Sequence, residues 1–156
     1  MRTSFIAAGF ALLLAAAACA EPEEDHNLAI DTSAGERHLF TVELAIEAND
    51  QERGLMFREK LAESRGMLFL YKKCDTARFW MKNTYIPLDM IFVEADGRIA
   101  GIAEMTEPES LAIHQSAVPV NGVLEIAGGL TQRLGIEEGD YVRHPWFGEG
   151  GKATCG

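Results

Sequence analysis

Over much of the chain apolar and polar residues alternate with a period of two, the spacing of a strand with one covered face. Residues 37–47 carry the longest such run, with Phe40, Val42, Leu44 and Ile46 on one side. A shorter strand begins at Leu28-Ala29-Ile30 and is turned by Ser33-Ala34-Gly35. Met67 to Tyr71 is apolar throughout. From Arg78 to Lys82 the alternation returns, with Phe79 and Met81 on one face and Arg78, Trp80 and Lys82 on the other. Leu88 to Glu94 is apolar on both faces apart from Asp89, as a strand central in its sheet must be. Asp96-Gly97 is a hairpin signal, and Ile99 to Met105 is the expected return strand. Residues 106–110, with Pro108, read as a loop. Asn121-Gly122 is a second turn signal ahead of a strand from Val123 to Ala127, which Gly128-Gly129 stops. Gly139-Asp140 turns into a last strand, Tyr141 to Arg143.

Helical spacing is scarce. Asn49-Asp50-Gln51-Glu52 reads as an N-cap followed by an acid at the third helical position, opening a short helix to about Met56 that Gly54 weakens. Residues 130–134 suffice for one turn. About eight short strands and one or two brief helices predict a mainly β fold, a compact β-sandwich or squashed barrel rather than a layered α/β arrangement.

The first residues follow another pattern. Arg2 precedes an uncharged run, Thr3 to Ala18, centred on Phe10-Ala11-Leu12-Leu13-Leu14. The run falls short of the roughly 20 residues of a relaxed membrane span. A basic start, a short apolar core and small residues predict a signal peptide over 1–18. Leu14-Ala15-Ala16-Ala17-Ala18-Cys19 resembles a lipoprotein box, which predicts lipidation of Cys19; Ala18-Cys19-Ala20 also permits ordinary cleavage before Glu21. An acidic tether then spans 19–27, a single β-rich domain 28–145 and an irregular Gly-rich tail 146–156.

The composition, 47% hydrophobic and 24% charged, is that of a globular chain. Net charge is −10, and −11 once Arg2 is removed. So acidic a chain repels phosphate backbones, so no nucleic-acid partner is expected, and a membrane is approached only through a lipid anchor. Of three cysteines, Cys74 and Cys155 remain after Cys19 is lipidated or cut away, and an oxidising compartment lets them pair. Neither belongs to a Cys-x-x-Cys pair or has His at ligand spacing, so no metal or cofactor is expected. His26, His38, His114 and His144 are isolated, and Ser64, Ser110 and Ser116 lack a nucleophile elbow.

Five blocks occur in a fixed order: Gly54-Leu55-Met56-Phe57-Arg58, Gly66-Met67-Leu68-Phe69, Phe79-Trp80-Met81-Lys82-Asn83-Thr84, Ile86-Pro87-Leu88-Asp89 and Leu124-Glu125-Ile126-Ala127-Gly128-Gly129, with Gly139-Asp140 behind them. Over roughly residues 37–143 the chain resembles the family named domain of unknown function number 192. The resemblance implies a compact β-sandwich-like domain, often exported in bacteria, and no established activity.

Within those blocks Asp89 and Glu125 sit inside apolar strands, where an unpaired acid is costly. Arg53, Arg58 and Lys82 are the cations at hand. Three readings stay open: a buried ion pair that fixes register, the polar floor of a ligand pocket, and plain exposure. Trp80 with Lys82 has the chemistry to stack on a sugar or grip a carboxylate or phosphate, or to pack under a loop with the lysine stem. The ligand-binding candidates are Arg53, Arg58, Trp80, Lys82, Asn83, Asp89 and Glu125, and Lys82, Asp89 and Glu125 are expected to lie together. The expected function is a monomeric, non-enzymatic envelope domain that binds a small ligand or an envelope component. The alternatives are a saccharide hydrolase using Asp89 and Glu125, and a purely structural or assembly role.

Overall fold

The period-two stretches become strands. The computed structural model describes residues 27–148, which hold nine strands and two short helices. In chain order they are β1 (Asn27–Asp31), β2 (Arg37–Ala45), α1 (Ala48–Arg53), β3 (Arg65–Asp75), β4 (Arg78–Phe79), β5 (Leu88–Val93), β6 (Ile99–Thr106), β7 (His114–Gln115), β8 (Val120–Ala127), α2 (Leu130–Leu134) and β9 (Tyr141–Arg143). Seven strands form one sheet in the order β6-β5-β8-β3-β2-β1-β9, and β4 pairs with β7 in a separate ribbon. All pairings are antiparallel except β2 with β3. That parallel pair needs a long crossover, and the crossover carries α1.

The fold is mainly β, and the large sheet curls into a half-barrel. Its far ends meet at one corner: Arg98 bridges Tyr141, the Val142 N–H donates to the Gly97 carbonyl at 2.8 Å, and the Ile99 N–H donates to the Asp140 carbonyl at 2.8 Å. β5 and β8 are buried on both faces over nearly their whole length, as the run of β5, apolar apart from Asp89, predicted for that strand. One face of the sheet packs Ile30, Val42, Leu68, Ile91 and Leu124 against Leu130 and Ile136 from α2 and beyond. The other packs Met67, Phe69, Met90 and Val123 against Leu55 and Met81.

Several local expectations give way to tertiary context. Asn121-Gly122 is no turn; both residues lie inside β8. A Cβ on Gly122 would stand 2.5 Å from Cζ of Phe147, so the glycine serves a close approach. Trp146 and Phe147, in the turns beyond β9, are 6% and 8% exposed, in the core. Ile46 is exposed, because β2 ends at Ala45. The strand expected over 78–82 shrinks to the two residues of β4, although its alternation survives, with Met81 buried and Trp80 45% exposed. Helix α1 starts at Ala48 behind Glu47 and has no side-chain cap.

Candidate functional site

In place of a cap, α1 has a side-chain anchor. The Gln51 amide donates to the carbonyls of Ala45 (3.2 Å), Ile46 (3.3 Å) and Leu70 (3.0 Å), which ties α1 to the end of β2 and the middle of β3. Gly54 ends the helix at φ 47°, where a Cβ would stand 3.2 Å from Cζ of Phe69. From the other side the β4–β7 ribbon sets Phe79 edge-on to Phe69, with centroids 4.9 Å apart. Between α1 and this ribbon lies a cavity of about 300 Å³. Arg53, Arg78 and Trp80, all exposed, line its solvent side; Phe69, Tyr71 and Glu125 line its inner end.

Glu125 is the unusual member. It is 4% exposed and flanked in register by Met67 of β3 and Met90 of β5. Among the described residues its carboxyl has neither a hydrogen-bond nor an ion-pair partner. Burial pushes it up to about 8, so at neutral pH it is mostly protonated and able both to donate and to accept. Burial, with the charge of Glu125 second, pushes the Tyr71 phenol up to about 12.

The other candidates separate. Asp89 pairs in register with Ile126, whereas Glu125 pairs with Met90, so the two acids project from opposite faces of the sheet. The Asp89 carboxylate accepts from the N–H groups of Met105 (2.8 Å), Gly129 (2.9 Å) and Thr131 (2.9 Å) and from the Thr131 hydroxyl (2.8 Å). It caps α2 from a neighbouring strand. Lys82 is exposed, its Nζ 5.0 Å from the centroid of the Trp80 ring. The expected cluster of Lys82, Asp89 and Glu125 therefore does not form, because alternation along paired strands sends the two acids apart. Carboxyls on opposite faces cannot flank one glycosidic bond, so the hydrolase pair falls with the cluster. Arg58 is occupied: both its terminal nitrogens donate to Glu43 at 2.6 Å, and this hydrogen bond holds the Glu43 carboxyl below its ordinary value.

A second hollow, of about 420 Å³, adjoins the first and shares Glu52, Arg53, Met56 and Trp80 with it; Lys82 and Asn83 line its far side. Phe57 and Asn83 both have positive φ (65° and 56°), and the Phe57 N–H donates to the Asn83 carbonyl at 2.8 Å. The pocket thus keeps Arg53, Trp80 and Glu125 from the sequence candidates and adds Tyr71 and Arg78. Arg78 was within reach of the alternation, sharing a face with Trp80. Tyr71 was signalled only as the polar tip of an apolar strand, on the face of Met67 and Phe69. Cys74 is half-buried in β3; Cys19 and Cys155 lie outside the described residues.

The family model of DUF192, described as an uncharacterized ACR, matches residues 29–144. The chain belongs to the DUF192 family. Four of the blocks that characterise this DUF192 chain meet at the pocket, supplying Gly54, Phe69, Trp80 and Glu125. A crystal structure from Sinorhizobium meliloti 1021, provisionally described as a transcription regulator, is 42% identical with a TM-score of 0.74, covering 76% of this chain and 92% of that one. A protein of unknown function from Novosphingobium aromaticivorans DSM 12444 is 45% identical with a TM-score of 0.73, covering 75% and 83%. No functionally curated protein matches this DUF192 member.

Proposed function

We propose that this DUF192 protein is a non-enzymatic domain of the bacterial envelope that binds a small ligand in the Glu125 pocket. The supporting observation is the Glu125 carboxyl itself, buried in an apolar strand, unpartnered among the described residues and lining an open cavity. An acid in such a place costs stability unless something bonds to it. A ligand with a matching polar group supplies that bond. The cavity lies at the small end of the range for ligand sites, with aromatic walls and a few polar groups.

The envelope part of the reading is supported by the leader-like pattern of residues 1–18, and it takes Cys19 as a lipid anchor and Cys74 as paired with Cys155. A DNA-binding role of the kind a transcription regulator suggests runs against a net charge of −10. A thermal-shift screen of the purified processed protein against sugars, peptidoglycan fragments, anions and metals tests the binding. A specific ligand raises the midpoint of wild type and raises that of E125Q less. A screen in which nothing moves the midpoint counts against the reading. Intact-mass spectrometry tests the compartment: a chain that keeps residues 1–18 and free thiols at Cys74 and Cys155 would defeat it.

A further inference from the structure

The chain is strongly acidic, yet two arginines face the pocket without a carboxylate partner. Of the described arginines, Arg37, Arg58, Arg98, Arg133 and Arg143 all form ion pairs. Arg53, Arg65 and Arg78 form none; Arg65 opens β3 near Glu43, whereas Arg53 and Arg78 both line the solvent side of the same cavity. With 24 acids against 14 Lys and Arg, partners are not scarce. Glu52 also lines the rim, and its carboxylate engages neither guanidinium. Glu125, at the inner end, forms no ion pair with them either. Cationic groups thus stand at one end of the cavity and a hydrogen-bonding carboxyl at the other. Between them run the aromatic walls of Phe69, Phe79 and Trp80.

Building on the small-ligand reading, we infer that the occupant carries an oxyanion, carboxylate or phosphate, on a ring-bearing apolar body, with the anion at Arg53 and Arg78 and the ring against Phe69, Phe79 and Trp80. Guanidiniums suit either oxyanion, since their forked donors match two oxygens at once. The ring is favoured by the edge-on pair of Phe69 and Phe79 and by the exposed indole beside them. A group on the far side of the ring that accepts a hydrogen bond meets the Glu125 carboxyl.

Calorimetric titration of the full processed protein with phenylacetate, phenyl phosphate and phenylacetamide tests this. At least one anion binds, and the neutral amide binds about tenfold more weakly or not at all. The anion with the higher affinity tells carboxylate from phosphate. The doubly substituted R53M/R78M protein, altered at two exposed sites, keeps its melting midpoint and loses about tenfold in affinity for that anion. Equal binding of phenylacetamide, or anion binding that survives R53M/R78M, overturns the inference and leaves the small-ligand reading standing. Failure of both anions overturns it as well, and only a broad screen that also finds no ligand removes the reading beneath it.

Discussion

Asp89 and Glu125 pose the same problem, an acid in an apolar strand, and the fold answers it in two ways. Asp89 is saturated, with three backbone N–H groups and one hydroxyl donating to it, so its burial is compensated in place. Glu125 has nothing comparable, and its carboxyl is held near 8 by burial. The ionisable groups that share its cavity are Tyr71 from β3, Glu52 and Arg53 from α1 and Arg78 from β4; none bonds to it. A folded-state pKa above the unfolded one means that the folded protein binds more protons between the two values. The contribution of Glu125 to stability is then most favourable below about pH 5 and falls as pH rises towards 8. The loss assignable to Glu125 is roughly 3–5 kcal/mol across that window. E125Q removes the titration. Its unfolding free energy should decline less between pH 5 and pH 8 than that of wild type, and the variant should be the more stable protein at the alkaline end. Parallel urea titrations of the two proteins measure the difference, and superimposable pH profiles would show that the carboxyl is solvated or paired after all.

At the scale of elements, the two short helices are placed by side-chain bonds that cross between a helix and its surroundings, from within α1 and from outside α2. Helix α1 hangs on Gln51, whose amide reaches three carbonyls, and α2 hangs on Asp89 of β5. Asp89→Asn should therefore act on α2 and on the end of β6 together. An amide nitrogen set against several N–H donors leaves some of them unbonded, at a cost on the order of 3 kcal/mol. The urea midpoint should drop with the slope unchanged; a loss under about 1 kcal/mol would mean that the bonds to Met105, Gly129 and Thr131 carry little weight. These long-range anchors also explain where sequence reasoning succeeded and failed. Periodicity found the strands because a sheet covered on one face is written directly into alternation, as in β2, and a strand covered on both faces into an apolar run, as in β5 ahead of the Asp96-Gly97 hairpin. It misread the start of α1 because the group that holds the helix bonds across to β3 instead of capping locally. It joined Asp89 to Glu125 because spacing along one strand says nothing about which face its partner strand presents, and register alone decides that. Arg53, Trp80 and Glu125 were legible as candidates, whereas their convergence depended on the parallel crossover between β2 and β3, which no local pattern announces.

For the whole molecule, the question is what holds a curled sheet closed when its ends meet over only a few hydrogen bonds. The bonds from Val142 and Ile99 fix one corner, and the chain beyond β9 does the rest by returning to the core with Trp146 and Phe147. Phe147 lies over β8 where Gly122 leaves room, and its Cβ comes within 3.4 Å of the Cβ position of Gly97 in the β5–β6 turn. One residue thus joins the last segment to the sheet interior through its ring and, through its Cβ, to the corner where the sheet ends meet. Removing it with Phe147→Ala should cost roughly 3 kcal/mol, the range for a buried aromatic. Gly122→Ala should cost on the order of 1–3 kcal/mol by displacing the same ring, since an added Cβ would sit 2.5 Å from Phe147 Cζ. The two effects share one contact, so they must not add. In the Phe147→Ala background the space is empty, and Gly122→Ala becomes neutral or slightly stabilising, as expected of Ala over Gly in a strand. Chemical denaturation of wild type, the two single variants and the double variant closes that cycle. Strict additivity would mean that Gly122 serves some local backbone need, as its place in an Asn-Gly pair first suggested, and that closure of the half-barrel rests on the corner hydrogen bonds alone.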